Sequence, residues 1–361
     1  MRKLVIAGII LIMIISCRRV EEQKEKQVQK PKNIILMIGD GMGVTQIYAA
    51  MSVSEKQLNF ERFKYVGFQK TYSASNYITD SGAGATALST GSKTINKYIA
   101  VDTTGNPLKT ILEYAEDNEL ATGLVSTSTI IHATPASFIA HDTSRYNYEN
   151  IASDFLDIDI DVFIGGGKRY FTEREDSLNL IDSLKKKQYQ LIDGLENFNT
   201  EIEGKFAVFT ADKHNPSIIN GRGDMLPLST EKAIKVLNKN ENGFFLMVEG
   251  SQIDWGGEEN DIEFVITETI DFDNAIAKAL EFAIENKETL VIVTADHESG
   301  GLALVDGDLE TKTIKVEFSS DDHTGVMVPV FAYGPGAEEF GGIYENTEIF
   351  EKMMKAFGFE K

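Results

Sequence analysis

The chain has 361 residues but a single cysteine, Cys17. An internal disulfide is therefore excluded, and the fold must be held by packing, by metals or by partners. Positive charge is scarce: 35 Lys and Arg against 56 Asp and Glu give a net charge of −21. Such a surface repels phosphate backbones, which argues against a nucleic-acid binding module. A small pocket can still invert the field locally. Histidine is rare, with only His132, His141, His214, His297 and His323. The sequence shows no internal repeat and no GxxxxGK[ST] phosphate loop. Its GGGK at 165–168 reads as a strand-ending turn.

The longest apolar run stands at the very start. MRKLVIAGIILIMIISC (1–17) has a basic head, an apolar stretch and a small residue, Ser16, before Cys17. That is the pattern of an export signal, and the run is too short for an ordinary membrane span. Ile14-Ile15-Ser16-Cys17 resembles a bacterial lipobox, in which the cysteine is lipidated. The expectation is a lipoprotein signal peptide over 1–17 and a protein lipid-anchored to a bacterial membrane, on its periplasmic or cell-surface side. Residues 18–31, RRVEEQKEKQVQKP, are polar and read as a tether. No comparable break follows, so one catalytic domain is expected over 32–361.

Within that domain, short apolar runs alternate with helical patterns. NIILMI (33–38), TGLVST (122–127), DVFIGG (161–166), FFLMVE (244–249), LVIVTA (290–295) and VMVPVFAY (326–333) read as strands buried on both faces. Helices are expected at 44–54, 81–90, 107–118, 147–157, 176–187, 230–239 and 261–286. The alternation predicts an α/β fold with a mostly parallel central sheet and helices on both faces.

Ligands in such folds sit beyond the carboxyl ends of the strands. Asp40 follows the first strand, Glu249 ends the fourth with Asp254 just after, and Asp296-His297 follow the fifth. Gathering carboxylates at one edge is unfavourable unless cations neutralise them. His323, in a loop before the last strand, offers an imidazole to the same acidic region. Carboxylates alone suit magnesium or calcium, and carboxylates with imidazole suit zinc. His141 and His214 have no such context and read as ordinary core or surface residues. Ser81 heads SGAGATAL, a run of small residues that can open a helix. A helix N-terminus favours negative charge, so Ser81 is a candidate nucleophile, with its small neighbours leaving room for metals and phosphate. The alternative is that Asp80 or Ser81 serves only as an N-cap.

The run Ile78-Thr79-Asp80-Ser81-Gly82-Ala83-Gly84-Ala85-Thr86 resembles the active-site signature of alkaline phosphatases. NIILMIGDGMG (33–43), STSTIIHATPASFIAHDTSR (126–145), VFIGGGK (162–168), MVEGSQID (247–254), VIVTADH (291–297) and DHTG (322–325) are similar to the family's other blocks, in its order. The resemblance implies the family's three-layer sandwich and a hydrolase of phosphate monoesters acting through a phosphoserine, with two zinc ions and one magnesium ion. It makes Ser81 the nucleophile and Arg145 the phosphoryl clamp. Asp40, Asp296 and His297 match one zinc site, Asp254 and His323 the other, and Asp40, Thr134 and Glu249 the magnesium site. His132 and Trp255 match positions that retune magnesium binding from behind its ligands. Where the family has a further zinc-ligating histidine, this chain has Glu258. Glutamate can ligate zinc through oxygen; zinc binding could instead be weakened, another divalent metal could be taken, or Glu259 or Asp261 could reach the site. A homodimer is the family's common assembly. The competing readings are a phosphodiesterase of the same superfamily and a non-catalytic phosphate- or metal-binding lipoprotein. The first usually lacks a third-metal set, against which Thr134 and Glu249 stand; intact Ser81 and Arg145 oppose the second. A sulfatase would need a Cys/Ser-x-Pro-x-Arg motif, which does not surround Ser81.

Overall fold

A computed structural model describes residues 30–308 and 310–360. The expected signal segment with Cys17, and residues 18–29 of the expected tether, lie outside the described residues. The strands are β1 (Asn33–Gly39), β2 (Tyr65–Lys70), β3 (Ala121–Thr129), β4 (Val162–Gly166), β5 (Tyr189–Asp193), β6 (Lys205–Ala211) and β7 (Phe244–Gly250). They continue with β8 (Thr289–Thr294), β9 (Glu298–Ser299), β10 (Leu302–Asp308), β11 (Thr313–Phe318), β12 (His323–Thr324), β13 (Val328–Tyr333) and β14 (Gly342–Glu345).

Ten of these form one sheet in the order β14-β2-β13-β8-β1-β7-β3-β4-β6-β5. β1 lies inside it, parallel to β7 and β8 on either side. β13 runs antiparallel to both its neighbours, and the other pairings in the sheet are parallel. Successive side chains of a strand point to opposite faces, and β1 feeds two separate cores accordingly. Ile34, Leu36 and Ile38 join the core on one face, while Ile35 and Met37 join the other. β8 divides the same way, with Leu290 and Ile292 on one side and Val291 and Val293 on the other.

Helices close both faces. Ser81–Thr90, Ile111–Asp117 and Thr347–Phe357 contribute Leu88, Leu112 and Phe350 to the first core. Val44–Val53, Met225–Leu237 and Ile262–Asn286 contribute Ile47, Ile234 and Phe272 to the second. The result is a three-layer α/β sandwich. Helix Ile262–Asn286 starts where the Asp261 carboxylate accepts from the Glu263 and Phe264 N–H groups, and it ends at Lys287 with φ +64°. No helix among the described residues is long and apolar enough to cross a membrane.

All six expected strands and all seven expected helices are found, the helix at 81–90 with its expected ends and the others with displaced ends. The helix expected from 107 begins at Ile111, because Thr110 and Glu113 form a capping box there. The helix expected from 230 begins at Met225, with Pro227 in its first turn, where a missing N–H costs nothing. GGGK at 165–168 does end a strand, with Gly167 at φ +101°.

Candidate active site

The carboxyl ends of the central strands gather the acids. Asp40 follows β1, and its N–H donates to the Gly250 carbonyl at the end of β7 (3.1 Å). Glu249 lies in β7, opposite Ile38 of β1. Asp254 and Glu258 stand on the helix Gln252–Glu258 that follows. Asp296 and His297 come directly after β8. His132 caps a short helix, Ala133–Ala136, that carries Thr134 just past β3. β12 pairs with β9, His323 opposite Ser299, and this brings the His323 ring onto His297, centroids 3.5 Å apart. Gly41 lets two of these loops meet. Its φ is +71°, and a Cβ there would fall 2.6 Å from the Asp254 Cα, so a side chain is excluded twice over.

Two groups of ligand atoms converge. Asp40 Oδ1 and Asp296 Oδ2 lie 3.2 and 3.4 Å from His297 Nε2, yet neither oxygen has a hydrogen bond. Asp254 Oδ1 and Glu258 Oε1 lie 3.5 and 3.4 Å from His323 Nε2. A third group joins Asp40, Glu249 and His132, and Thr134 Oγ1 lies 3.5 Å from Asp40 Oδ2. Glu249 Oε1 is likewise buried without a partner, while its Oε2 accepts from Ser126 Oγ (2.6 Å). Buried carboxylate oxygens are ordinarily satisfied. Orphaned oxygens turned toward one another and toward imidazole nitrogens are what divalent cations would complete, so these residues fit metal cofactors.

The electrostatics agree. Burial raises the Asp40 carboxyl well above its usual range, and the nearby Asp296, Asp254 and Glu249 add to it. Burial carries Glu249 up to about 7 against the hydrogen bonds that favour its charge. Asp254 is raised, first by burial. Burial alone would lower His323, but the Glu258 hydrogen bond and the Asp254 charge prevail and take it to about 9. Without cations, the site holds protons in their place.

Ser81 opens the helix Ser81–Thr90 as its first residue, with Asp80 as the N-cap accepting from the Ala83 N–H (3.0 Å). Its Oγ lies 3.4 Å from His297 Nε2 and 3.4 Å from Arg145 Nη1. That guanidinium is held by Asp80 Oδ2 at 3.0 Å, and its Nη2 lies 3.4 Å from His132 Nε2. The small residues after Ser81 also have a packing role. All ten residues of the helix are buried; a Cβ on Gly84 would sit 3.1 Å from Asp296, and one on Gly82 3.0 Å from the Tyr98 carbonyl. They let the helix press against the protein itself, and that contact carries Ser81 to the ligand cluster.

These groups line a cleft of about 520 Å³ containing Asp80, Ser81, His132, Arg145, Asp254, Trp255, Glu258 and His323. Trp255 packs edge-on against His132 and His214, centroids 6.2 and 4.9 Å away. His214 is thus part of the wall behind the site, with its Nδ1 accepting from the Thr129 N–H (3.2 Å). His141 stands apart, bonded to the Ala100 carbonyl (2.8 Å). Glu258 reaches His323, whereas Asp261 is engaged as the cap of the following helix. Four supporting residues were not foreseen. The Thr79 carbonyl meets His323 Nδ1 (2.9 Å), Ser126 holds Glu249, Ser251 bonds Ser126 (3.0 Å), and Ser299 bonds Asp254. Nothing in a lone Ser or Thr marks such a role before the loops meet.

Known proteins resemble this chain in sequence and fold. A family model described as alkaline phosphatase matches residues 31–313 and 306–359. Alkaline phosphatase 3 of Bacillus subtilis (strain 168) is 38% identical, over 93% of this chain and 91% of its own length. The alkaline phosphatase of Escherichia coli (strain K12) is 33% identical, over 91% and 86%. The solved structure of alkaline phosphatase from the Antarctic bacterium TAB5 superposes with a TM-score of 0.88 at 43% identity, covering 92% of this chain and 100% of that one. The chain belongs to the alkaline phosphatase family, metal-dependent hydrolases of phosphate monoesters.

Proposed function

We propose that the cleft hydrolyses phosphate monoesters through a phosphoserine at Ser81, with two zinc ions and one magnesium ion. The observation that carries this reading is Ser81 Oγ, buried at a helix N-terminus and facing Arg145 and His297 at 3.4 Å each. Asp40, Asp296 and His297 would hold the zinc beside Ser81; Asp254 and Glu258, which both face His323 Nε2, would hold the second with it; Asp40, Thr134 and Glu249 would hold the magnesium, with His132 close enough to serve it. When bound, these cations supply Lewis-acid stabilisation of charge and make serine and water nucleophilic near neutral pH.

The chain's own groups do the rest. Arg145 is fixed by Asp80, so its fork is already oriented toward phosphoryl oxygens placed above Ser81. Ser81 gives up its hydroxyl proton to solvent as Oγ attacks phosphorus, the bond to the alcohol oxygen breaks, and the departing oxygen takes a proton from solvent, so that one proton is lost and one gained. Water then cleaves the phosphoserine, restoring the Ser81 hydroxyl and releasing phosphate. The helix N-terminus favours negative charge at Oγ in both halves. Phosphoryl transfer depends mostly on such positioning and charge stabilisation.

Metal-loaded protein lacking residues 1–17 is expected to release p-nitrophenol from p-nitrophenyl phosphate and hardly at all from its bis-ester. The reverse preference would assign the chain to the phosphodiesterases of the superfamily, and inertness toward both would leave a binding protein. Residues 32–361 act as one catalytic domain in this reading, assembled as a homodimer. The sequence over 1–31 supports export, lipidation of Cys17 and a polar tether to the membrane.

Glu258 supplies oxygen where an imidazole would be a softer donor. Glu258→His is therefore expected to tighten zinc at the Asp254–His323 cluster by about 10–100-fold, read by competition with a chromogenic chelator. Unchanged affinity would place Glu258 outside the ligand set.

A further inference from the structure

The two proposed zinc clusters, Asp40–Asp296–His297 and Asp254–Glu258–His323, meet at His297, whose Nε2 faces Asp40 and Asp296 and whose Nδ1 lies 4.0 Å from Asp254 Oδ1. A second side chain, one that belongs to neither ligand set, also touches both. Ser299, fully buried on β9, donates its hydroxyl to Asp254 Oδ1, and its oxygen lies 3.4 Å from His297 Nδ1. The position is tightly enclosed. The Ser299 N–H donates to the Gly41 carbonyl (3.0 Å). A Cβ on Gly41 would lie 2.7 Å from Ser299 Oγ, and one on Gly257 2.8 Å from its Cβ. Two glycines thus make room for this side chain and hold it in place.

We propose that Ser299 is a positioning residue that couples the two clusters by an ordered relay, His297 Nδ1–H to Ser299 Oγ and Ser299 O–H to Asp254 Oδ1. The direction follows from donor counting. A serine has one proton to give, and an ionised carboxylate only accepts. With the hydroxyl proton spent on Asp254, only lone pairs face His297, so Nδ1 carries the hydrogen. Nε2 is then left with its lone pair toward Asp40, Asp296 and Ser81, the form a metal-ligating imidazole needs. The same bond fixes Asp254 Oδ1, the oxygen that faces His323. Displacing either ligand would therefore disturb the other.

The relay rests on the proposed metal-dependent reading, and its test does not depend on turnover. Zinc- and magnesium-loaded protein is labelled with ¹⁵N-histidine; five histidines keep the spectrum assignable. The expected result is a His297 Nδ1 proton that is hydrogen-bonded and slow to exchange. In Ser299→Ala that signal moves upfield and exchanges faster. The variant's zinc dissociation constants, from chelator competition, rise by about 10–100-fold at both clusters. Equal melting temperatures of the metal-free forms would show that the fold is kept. An unprotonated or freely exchanging Nδ1 in the unsubstituted protein overturns the relay without needing the variant at all. Weakening at one cluster only, or at neither, overturns the coupling. Loss of monoesterase activity in the unsubstituted protein, with these signatures intact, would overturn the catalytic reading and leave the relay standing.

Discussion

Ser81→Ala abolishes the monoesterase, with kcat/KM falling by on the order of 10⁴ or more, the scale seen when a nucleophile that acts as a unit with its activators is removed. The size follows from geometry. Ser81 Oγ is the only hydroxyl placed 3.4 Å from both Arg145 Nη1 and His297 Nε2 in the described residues. Alanine removes the bond-forming atom but little volume, and the helix is held by its cap at Asp80 and by its buried face. Metal content and melting temperature should therefore stay close to those of the unsubstituted enzyme. Rapid acid quench followed by mass spectrometry should find phosphate on the peptide containing Ser81 in the active protein and none in the variant. Retention of about a tenth of the activity, or phosphate on another residue, would move the nucleophile elsewhere. A loss confined to KM would make Ser81 a binding group.

Much of this site can be read in the sequence because parallel sheets place function at predictable points. Asp40, Glu249 and Asp296 follow or end apolar strands, and that position alone sends them to one edge. Ser81 is marked by its helix-opening context, and the small residues after it also pack against Asp296 and Tyr98. Arg145, Thr134, His132, Trp255 and Glu258 carry no periodic signal. They stand in a loop, a helix cap or short helices, and only the family resemblance singled them out. The supporting contacts were illegible for a different reason. The Thr79 carbonyl and His323 are 244 residues apart in sequence, and Ser299 acts through Asp254, 45 residues away. Backbone carbonyls and single serines offer no composition cue at such separations. The edge strands β5 and β14, the strand β2 beside β14 and the β10–β11 ribbon escaped for want of a continuous apolar run. β11, TIKVEF, alternates between exposed and half-buried residues.

Removing the metals is expected to abolish turnover and to expose a pH dependence that the loaded enzyme lacks. In the metal-free fold Glu249 titrates near 7 instead of 4.5, and Asp40 and Asp254 are also raised. A carboxyl raised by folding binds protons more tightly in the native state than in the unfolded one, so stability falls as pH rises between the two values. For Glu249 that window is 4.5 to about 7. His323, raised from 6.5 to about 9, extends the same trend: its stabilisation is complete below 6.5 and is lost as pH climbs through 9. Both therefore make the metal-free protein less stable on going from pH 5 to 9. The Glu249 share alone is on the order of 3 kcal/mol, enough to lower the melting temperature by roughly 5 °C or more. Divalent cations replace those protons and neutralise the carboxylates directly, so the loaded protein should not follow the decline. The gap between loaded and stripped melting temperatures should widen with pH, and metal uptake should release protons most strongly below pH 7. Parallel pH curves for the two forms would mean that the orphaned oxygens of Asp40, Glu249 and Asp296 do not meet the cations. The chelated protein should regain activity when zinc and magnesium are restored together, because Asp40 belongs to two of the ligand groups and binding at one should orient it for the other.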